Sequence, residues 1–224
     1  MAQSLSPERN LKVAIIGGGP AGLAAAIALS KRPFVDWKLY EKKPEISEIG
    51  NGISIQPNTW RMLEKLGASR HLRNDDFFRP LDGHFLQHRN GRTGTLEAQT
   101  DYRKQNTPPH QRHCRAHRAK LQQALLRHVN QSRIRVGRKL VDVVQLDSGR
   151  LRIRFDDSFE DEVDLLVGAD GIRSVVRQFA FPSHNIGYTG STCYRTLVRT
   201  SVPKRSTDYS CDGHQGQVSS HIQE

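Results

Sequence analysis

The chain has 224 residues, 36% of them hydrophobic and 25% charged. That length and balance suit a soluble globular protein with a core of ordinary size and argue against gross disorder. A formal charge of +11 and a pI near 10.0 would suit nucleic acid or an anionic membrane surface, but the basic residues are scattered from Arg61 to Arg199 without long blocks or aromatic platforms, so a solvated basic surface is expected and no nucleic-acid partner.

The polar start MAQSLSPERNLK lacks the apolar core of a secretory signal. The apolar stretch from Val13 to Leu29 is interrupted by glycines and Pro20, which makes it too broken for a membrane span. Instead it reads as strand, turn and helix. Leu11 to Ile16 is a short β-branched run bounded by Gly17 and has the character of a buried parallel strand. Gly17-Gly18-Gly19-Pro20-Ala21-Gly22 then satisfies GxGxxG, and an alanine-rich helix follows. In such a fingerprint Gly17 permits the tight turn, Gly19 lets backbone approach a pyrophosphate, and Gly22 lets helix pack on strand. A second strand, Trp37 to Tyr40, ends in Glu41, roughly twenty residues past the glycines, where a carboxylate meets an adenosine ribose. By itself Glu41 is equally a surface charge at a strand end. The cradle suits FAD and NAD alike.

Asn51 to Asn58 reads as a strand leaving a glycine turn, and Thr59 to Leu66 as a helix stopped by Gly67. Between Leu81 and Leu96, Arg89-Asn90-Gly91 separates two apolar runs, a hairpin signal. The polar stretch from Ala98 to His110 carries Pro108-Pro109 and is expected to be a loop. His110, His113, Cys114 and His117 would be candidate zinc ligands, but no second cluster stands at a finger-like distance. Alternation with arginines favours a strand running into a helix, so no metal is expected. Leu121, Leu125, Leu126 and Val129 follow at helical spacing. Ile134 to Val144, Leu151 to Phe155 and Val163 to Val167 alternate like a β-meander whose last strand returns to the main sheet. Three cysteines, Cys114, Cys193 and Cys211, without CxxC spacing fit a reduced, cytoplasmic compartment.

Gly168-Ala169-Asp170-Gly171-Ile172-Arg173-Ser174 is another strand end, glycine turn and helix start, in which Asp170 or Ser174 is placed to cap the helix. Here GADGIRSVVR resembles the DG motif of the class A flavin monooxygenases, the family of p-hydroxybenzoate hydroxylase and salicylate hydroxylase. GGGPAGL with Glu41, EIGNGISIQPNTWRMLEKLG, HRAKLQQAL and YTGSTCYRTLV resemble that family in the same order, so the likeness spans roughly residues 11 to 200.

The resemblance implies an α/β fold: a Rossmann-like FAD-binding domain of the p-hydroxybenzoate hydroxylase type, with an inserted β-rich part of a substrate domain. The FAD-binding domain is expected over 1–80 and 110–180, with its meander at 134–167. The partial substrate domain falls at 81–109 and 181–200, and an irregular tail at 201–224. FAD is the implied cofactor, NADPH or NADH the reductant, and molecular oxygen and an aromatic, phenolic or polyketide-type small molecule the substrates. The resemblance gives Gly17, Gly19 and Gly22 the pyrophosphate, Glu41 the ribose, Gly52 the approach to the flavin, Arg118 a flavin contact, and Asp170 both FAD and reduced nicotinamide. Arg195, otherwise a strand-surface arginine, takes the catalytic role of steadying a phenolate, which charge-assisted hydrogen bonds favour.

Lys42 stands where the family commonly has arginine, and Asn51 where a small alanine is usual. After Thr200 the sequence shows neither strand alternation nor helix period. A GD motif of the GDAAH kind is absent. The alternative is therefore a truncated, catalytically inactive flavoprotein fragment. An NAD-dependent dehydrogenase is disfavoured, because nothing resembles its catalytic dyad.

Overall fold

The computed structural model describes residues 10–47, 52–78, 85–101, 106–190, 193–198 and 216–221. It divides into two compact units, the first formed by residues 1–48 and 122–186 and the second by 49–121 and 187–224. Residues 49–80 and 110–121, expected with the FAD-binding domain, thus group with the hairpin segment.

The first unit opens with β1 (Leu11–Ile16), α1 (Pro20–Ser30) and β2 (Val35–Tyr40). The second supplies β3 (Gly52–Ile55), α2 (Pro57–Leu66), β4 (Phe77–Phe78), β5 (Phe85–Arg89), β6 (Leu96–Asp101) and β7 (Cys114–His117). Helix α3 (Arg118–Leu126) leads back to the first unit, which continues through β8 (Ile134–Arg135), β9 (Leu140–Gln145), β10 (Leu151–Phe155), β11 (Glu160–Val163), β12 (Leu165–Gly168) and α4 (Val175–Ala180). Strands β13 (Cys193–Val198) and β14 (Gly216–His221) belong to the second.

In the first unit a parallel sheet runs β12-β1-β2-β8. Val13 to Ile16 are buried, as an apolar run in a parallel strand covered on both faces should be. The antiparallel meander β11-β10-β9 packs on this sheet. Ala14, Ile16 and Tyr40 from the sheet meet Leu140, Val143, Ile153, Phe155 and Val163 from the meander in one cluster. The fully buried large side chains Ile153 and Phe155 each contribute about 1.5–3 kcal/mol before chain entropy is counted.

Tyr40 serves both halves of this interface. Its ring lies 4.6 Å from that of Phe155, and its hydroxyl donates to Asp161 Oδ2 at 2.6 Å, the oxygen that also receives Lys38 Nζ at 3.0 Å. Burial, reinforced by the Asp161 carboxylate, drives the Tyr40 hydroxyl far above the ordinary phenol range. Burial alone would raise the Asp161 carboxyl, but the hydrogen bonds from Tyr40 and Lys38 outweigh it and hold it below its usual value. On the outer face of the meander Arg150, Arg152 and Arg154 pair with Glu162, Asp164 and Asp142. The pairs made by Arg152 and Arg154 are exposed and add little stability, whereas Arg150 and Asp164 are partly buried.

Two boundaries in this unit differ from the sequence pattern. The single strand expected over 134–144 is broken by Gly137, whose φ of +66° turns the chain. As a result β8 pairs with β2 and β9 with β10. The strand expected over 163–167 divides at Asp164, whose carboxylate accepts the Lys12 N–H and the Arg150 guanidinium.

In the second unit β3, β7 and β4 form an antiparallel sheet. Trp60 of α2 is buried and meets Phe77 edge to face at 5.4 Å. Gly67, at φ +85°, ends α2 as expected. The hairpin β5–β6 forms, but its loop is longer than Asn90-Gly91 suggested. Asn90 Oδ1 accepts the N–H groups of Arg92 and Thr93, so pairing resumes only at Leu96. Residues 98–101, expected in a loop, are strand because β5 supplies their partners. Within the stretch expected as an irregular tail, residues 216–221 form β14 against β13. That order comes from the partner strand rather than from an alternating pattern.

Replacing Tyr40 by Phe keeps the aromatic packing and removes one buried hydrogen bond. The variant should lose about 1–2 kcal/mol in urea unfolding, and an unchanged midpoint would show that the Asp161 bond contributes nothing.

Candidate functional site

At the C-terminal end of β1 the chain turns through Gly17, whose φ of +108° is open to glycine alone without strain. The Gly17 N–H donates to the Tyr40 carbonyl at 2.8 Å, and the Ala169 N–H donates to the Ile16 carbonyl at 2.8 Å. The glycine turn and the DG turn therefore lie side by side. They are so close that a Cβ on Gly17 would stand 2.3 Å from the Ala169 oxygen. Gly22 is equally constrained, since a Cβ there would lie 1.9 Å from the Gly17 oxygen.

Gly19 differs from both. A Cβ on it would meet nothing within 4 Å, and its φ of −72° and ψ of 178° suit any residue. It is the N-cap of α1, with Pro20 following, no side-chain cap and no acidic residue in the first turn. A helix N-terminus left in that state faces open space with its positive dipole end and available N–H groups, which suits a phosphate.

Glu41 is 9% exposed. Its Oε2 accepts the Gly18 N–H at 2.6 Å and its Oε1 the Lys43 N–H at 2.9 Å. The carboxylate that spacing offered to a ribose thus also braces the glycine turn. Each carboxylate oxygen thus accepts one backbone N–H, which uses about two of its four lone-pair positions. From the other side Gln122 of α3, 4% exposed, donates Nε2 to the Gly18 carbonyl at 3.0 Å. Sequence reasoning missed Gln122. The signal was a polar residue on a helix face whose neighbours Leu121, Ala124 and Leu125 are buried.

Asp170 caps α4. Its Oδ1 accepts from Ser174 Oγ at 2.5 Å, and its Oδ2 accepts the Val175 N–H at 2.8 Å and the Val176 N–H at 3.3 Å. Ser174 Oγ in turn accepts the Arg177 N–H. The two capping candidates in this motif therefore cap the helix together, next to the glycine turn.

In the second unit Gly52 pairs with His117 across β3 and β7, and Arg118 follows directly as the first residue of α3. The structure thus brings Gly52 and Arg118 to the same end of that strand pair. Arg195 falls on β13 opposite Ser219, and its side chain lies outside the described residues. In the histidine-rich segment His110 Nε2 lies 3.1 Å from Glu64 Oε1. Burial, aided by the Arg115 charge, lowers the His113 pKa and favours the neutral ring. Among the described residues no group of three or more histidine, cysteine or acidic side chains converges as a metal site.

A parallel sheet with a glycine cradle at the end of its first strand and a carboxylate at the end of its second defines a Rossmann-like dinucleotide-binding domain. A family model described as FAD binding domain matches residues 10–195. Salicylate hydroxylase of Pseudomonas putida is 28% identical over 195 residues, covering 84% of this chain and 43% of its own length. The 2-heptyl-3-hydroxy-4(1H)-quinolone synthase of Pseudomonas aeruginosa is 34% identical over 194 residues, covering 84% and 47%. Among solved structures, Klebsiella pneumoniae HpxO complexed with FAD and uric acid matches with a TM-score of 0.67 and 27% identity over 84% of this chain and 46% of that one. The chain belongs to the FAD-binding domain family of the class A flavin monooxygenases. It spans somewhat less than half the length of these relatives.

The geometry of the two constrained glycines reverses an ordinary expectation. On helix propensity alone Gly22→Ala would stabilise α1 by roughly 1 kcal/mol, but the clash with the Gly17 carbonyl should instead cost about 3 kcal/mol or more. Thermal unfolding beside Gly91→Ala, where a Cβ meets nothing within 4 Å, measures the contrast.

Proposed function

We propose that this chain is the FAD-holding portion of a monooxygenase that draws electrons from NADPH or NADH and hydroxylates an aromatic, phenolic or polyketide-type small molecule with molecular oxygen. The observation that carries the reading is the open face at Gly19, which directly follows the braced Gly18 peptide at the N-terminus of α1. The family membership and the aromatic substrates named for its relatives support it.

In this reading the N-terminus of α1 at Gly19 holds the pyrophosphate, and Glu41 accepts the ribose hydroxyls. Gly17 and Gly22 act by allowing the close packing that presents Gly19. Gly52 and Arg118 take flavin-side contacts. Asp170 fixes the DG turn so that its backbone faces the cofactor, and Arg195 steadies the substrate phenolate by charge-assisted hydrogen bonds. Bound FAD supplies the redox chemistry and the activation of oxygen. A cytoplasmic setting belongs to the same proposal, supported by three cysteines, Cys114, Cys193 and Cys211, without CxxC spacing. No helix among the described residues is long and apolar enough to cross a membrane.

The second reading is that residues 1–224 by themselves hold flavin without catalysing turnover; they match 43–47% of the length of the relatives. Purified protein should carry the absorbance of oxidised flavin and oxidise NADPH or NADH faster when a phenolic substrate is added. Flavin without any turnover would favour the second reading. Gly19→Val, whose side chain enters open space, should cost no more than about 1 kcal/mol of stability as a poorer N-cap and reduce flavin retention at least tenfold, because it fills the phosphate face. Equal flavin content in wild type and variant would refute the assignment of Gly19.

A further inference from the structure

We infer that Gln122 is a positioning residue for the cofactor: it locks the Gly18–Gly19 peptide so that its N–H, rather than its carbonyl, faces the phosphates. The inference rests on the FAD reading and deepens it.

A peptide between two glycines is the easiest place in a chain for the plane to flip, since neither neighbour has a Cβ to resist rotation. A flip here would be costly for a ligand. In a trans peptide the carbonyl and the next N–H point to opposite sides, and no cis peptide bond occurs among the described residues. With the Gly18 carbonyl held at 3.0 Å by Gln122 Nε2, the Gly19 N–H is turned away from α3, at the residue whose Cβ direction is open. The flipped plane would set a carbonyl oxygen against an anion.

The preceding peptide is fixed independently. The Gly18 N–H is bound by Glu41 Oε2 at 2.6 Å, which leaves the Gly17 carbonyl on the side of Gly22. Two consecutive planes are thus fixed by two buried side chains. Glu41 lies 23 residues beyond Gly18 and Gln122 lies 104 beyond it. The orientation of the Gln122 amide follows from chemistry as well. Gly18 offers an acceptor, so only the NH₂ end can face it. Gln122 reaches no phosphate in this scheme and acts through Gly18.

The test uses the full chain with two substitutions. Gln122→Met keeps the length and removes the donor. Gln122→Glu presents an acceptor when ionised and a donor when protonated. FAD affinity is measured by quenching of flavin fluorescence, and the Gly18 carbonyl shift by NMR on ¹³C,¹⁵N-labelled protein without cofactor.

Gln122→Met should weaken FAD about tenfold, the equivalent of one buried hydrogen bond, and move the Gly18 carbonyl resonance upfield. Gln122→Glu should bind poorly at about pH 8 and regain affinity relative to wild type at about pH 5, because burial beside the Gly18 carbonyl raises its carboxyl above the free value and lets it take up a proton there. A merely space-filling residue would give no such pH profile, and Gln122→Glu decides the question if Gln122→Met does not fold. Wild-type affinity in both variants, or an unmoved carbonyl resonance, overturns the inference. A wild-type chain that binds no FAD sinks the cofactor reading, and the carbonyl shift still decides whether Gln122 holds the peptide.

Discussion

The contact on which the rest of the first unit depends is the approach of Gly17 to the backbone of Ala169. Two strands, β1 and β12, end side by side, and each turns sharply as it leaves the sheet. The space between those turns is smaller than a methyl group, because an added carbon on Gly17 would stand 2.3 Å from the Ala169 oxygen. Glycine at 17 is therefore a demand of the fold before it is a demand of any ligand. Once that position is satisfied, Gly22 seats α1 on the turn, and Gly19 is left as the glycine whose missing side chain serves open space.

The polar groups around this contact form a layered support. Tyr40 closes the end of β2 with its carbonyl on Gly17 while its ring and hydroxyl tie the sheet to the meander. Glu41, the next residue, turns back to hold Gly18. Asp170 gives its carboxylate to the first turn of α4. A candidate cofactor site thus borrows its rigidity from groups that also perform ordinary structural work, and fully satisfied polar networks of this kind favour one arrangement over many.

Much of this was legible in the sequence because the chemistry is local. GxGxxG between a β-branched run and an alanine-rich stretch can hardly fold otherwise, and Glu41 announces itself by following Tyr40 at the end of the second strand. Gly67 ends α2 by its own conformational freedom. What could not be read was non-local. The turn at Gly137 within 134–144 sends β8 to β2 and β9 to β10, partners that lie far off in sequence or beyond a further turn, and the late start of β6 follows from the side-chain turn of Asn90. β14 is ordered by β13. Gln122 looked like one of several polar residues on a helix, and only the position of Gly18 relative to α3 reveals its hydrogen bond. Of the residues that family resemblance singles out, Glu41 and Asp170 are also committed to structural bonds, Glu41 to Gly18 and Asp170 to the first turn of α4.

The pairing of β1 with β12 also bears on how the protein is made. Val13 sits opposite Leu165 and Ile16 opposite Gly168, so β1 waits for a neighbour made about 150 residues later. Such long-range pairing is slow, because loop closure must precede any reward from contact. Until β12 leaves the ribosome, one edge of the apolar β1 strand is exposed on the nascent chain, a state that invites chaperone capture or misassembly. The glycine turn at residue 17 is made well before its neighbour, yet it cannot take its final shape until Ala169 arrives beside it.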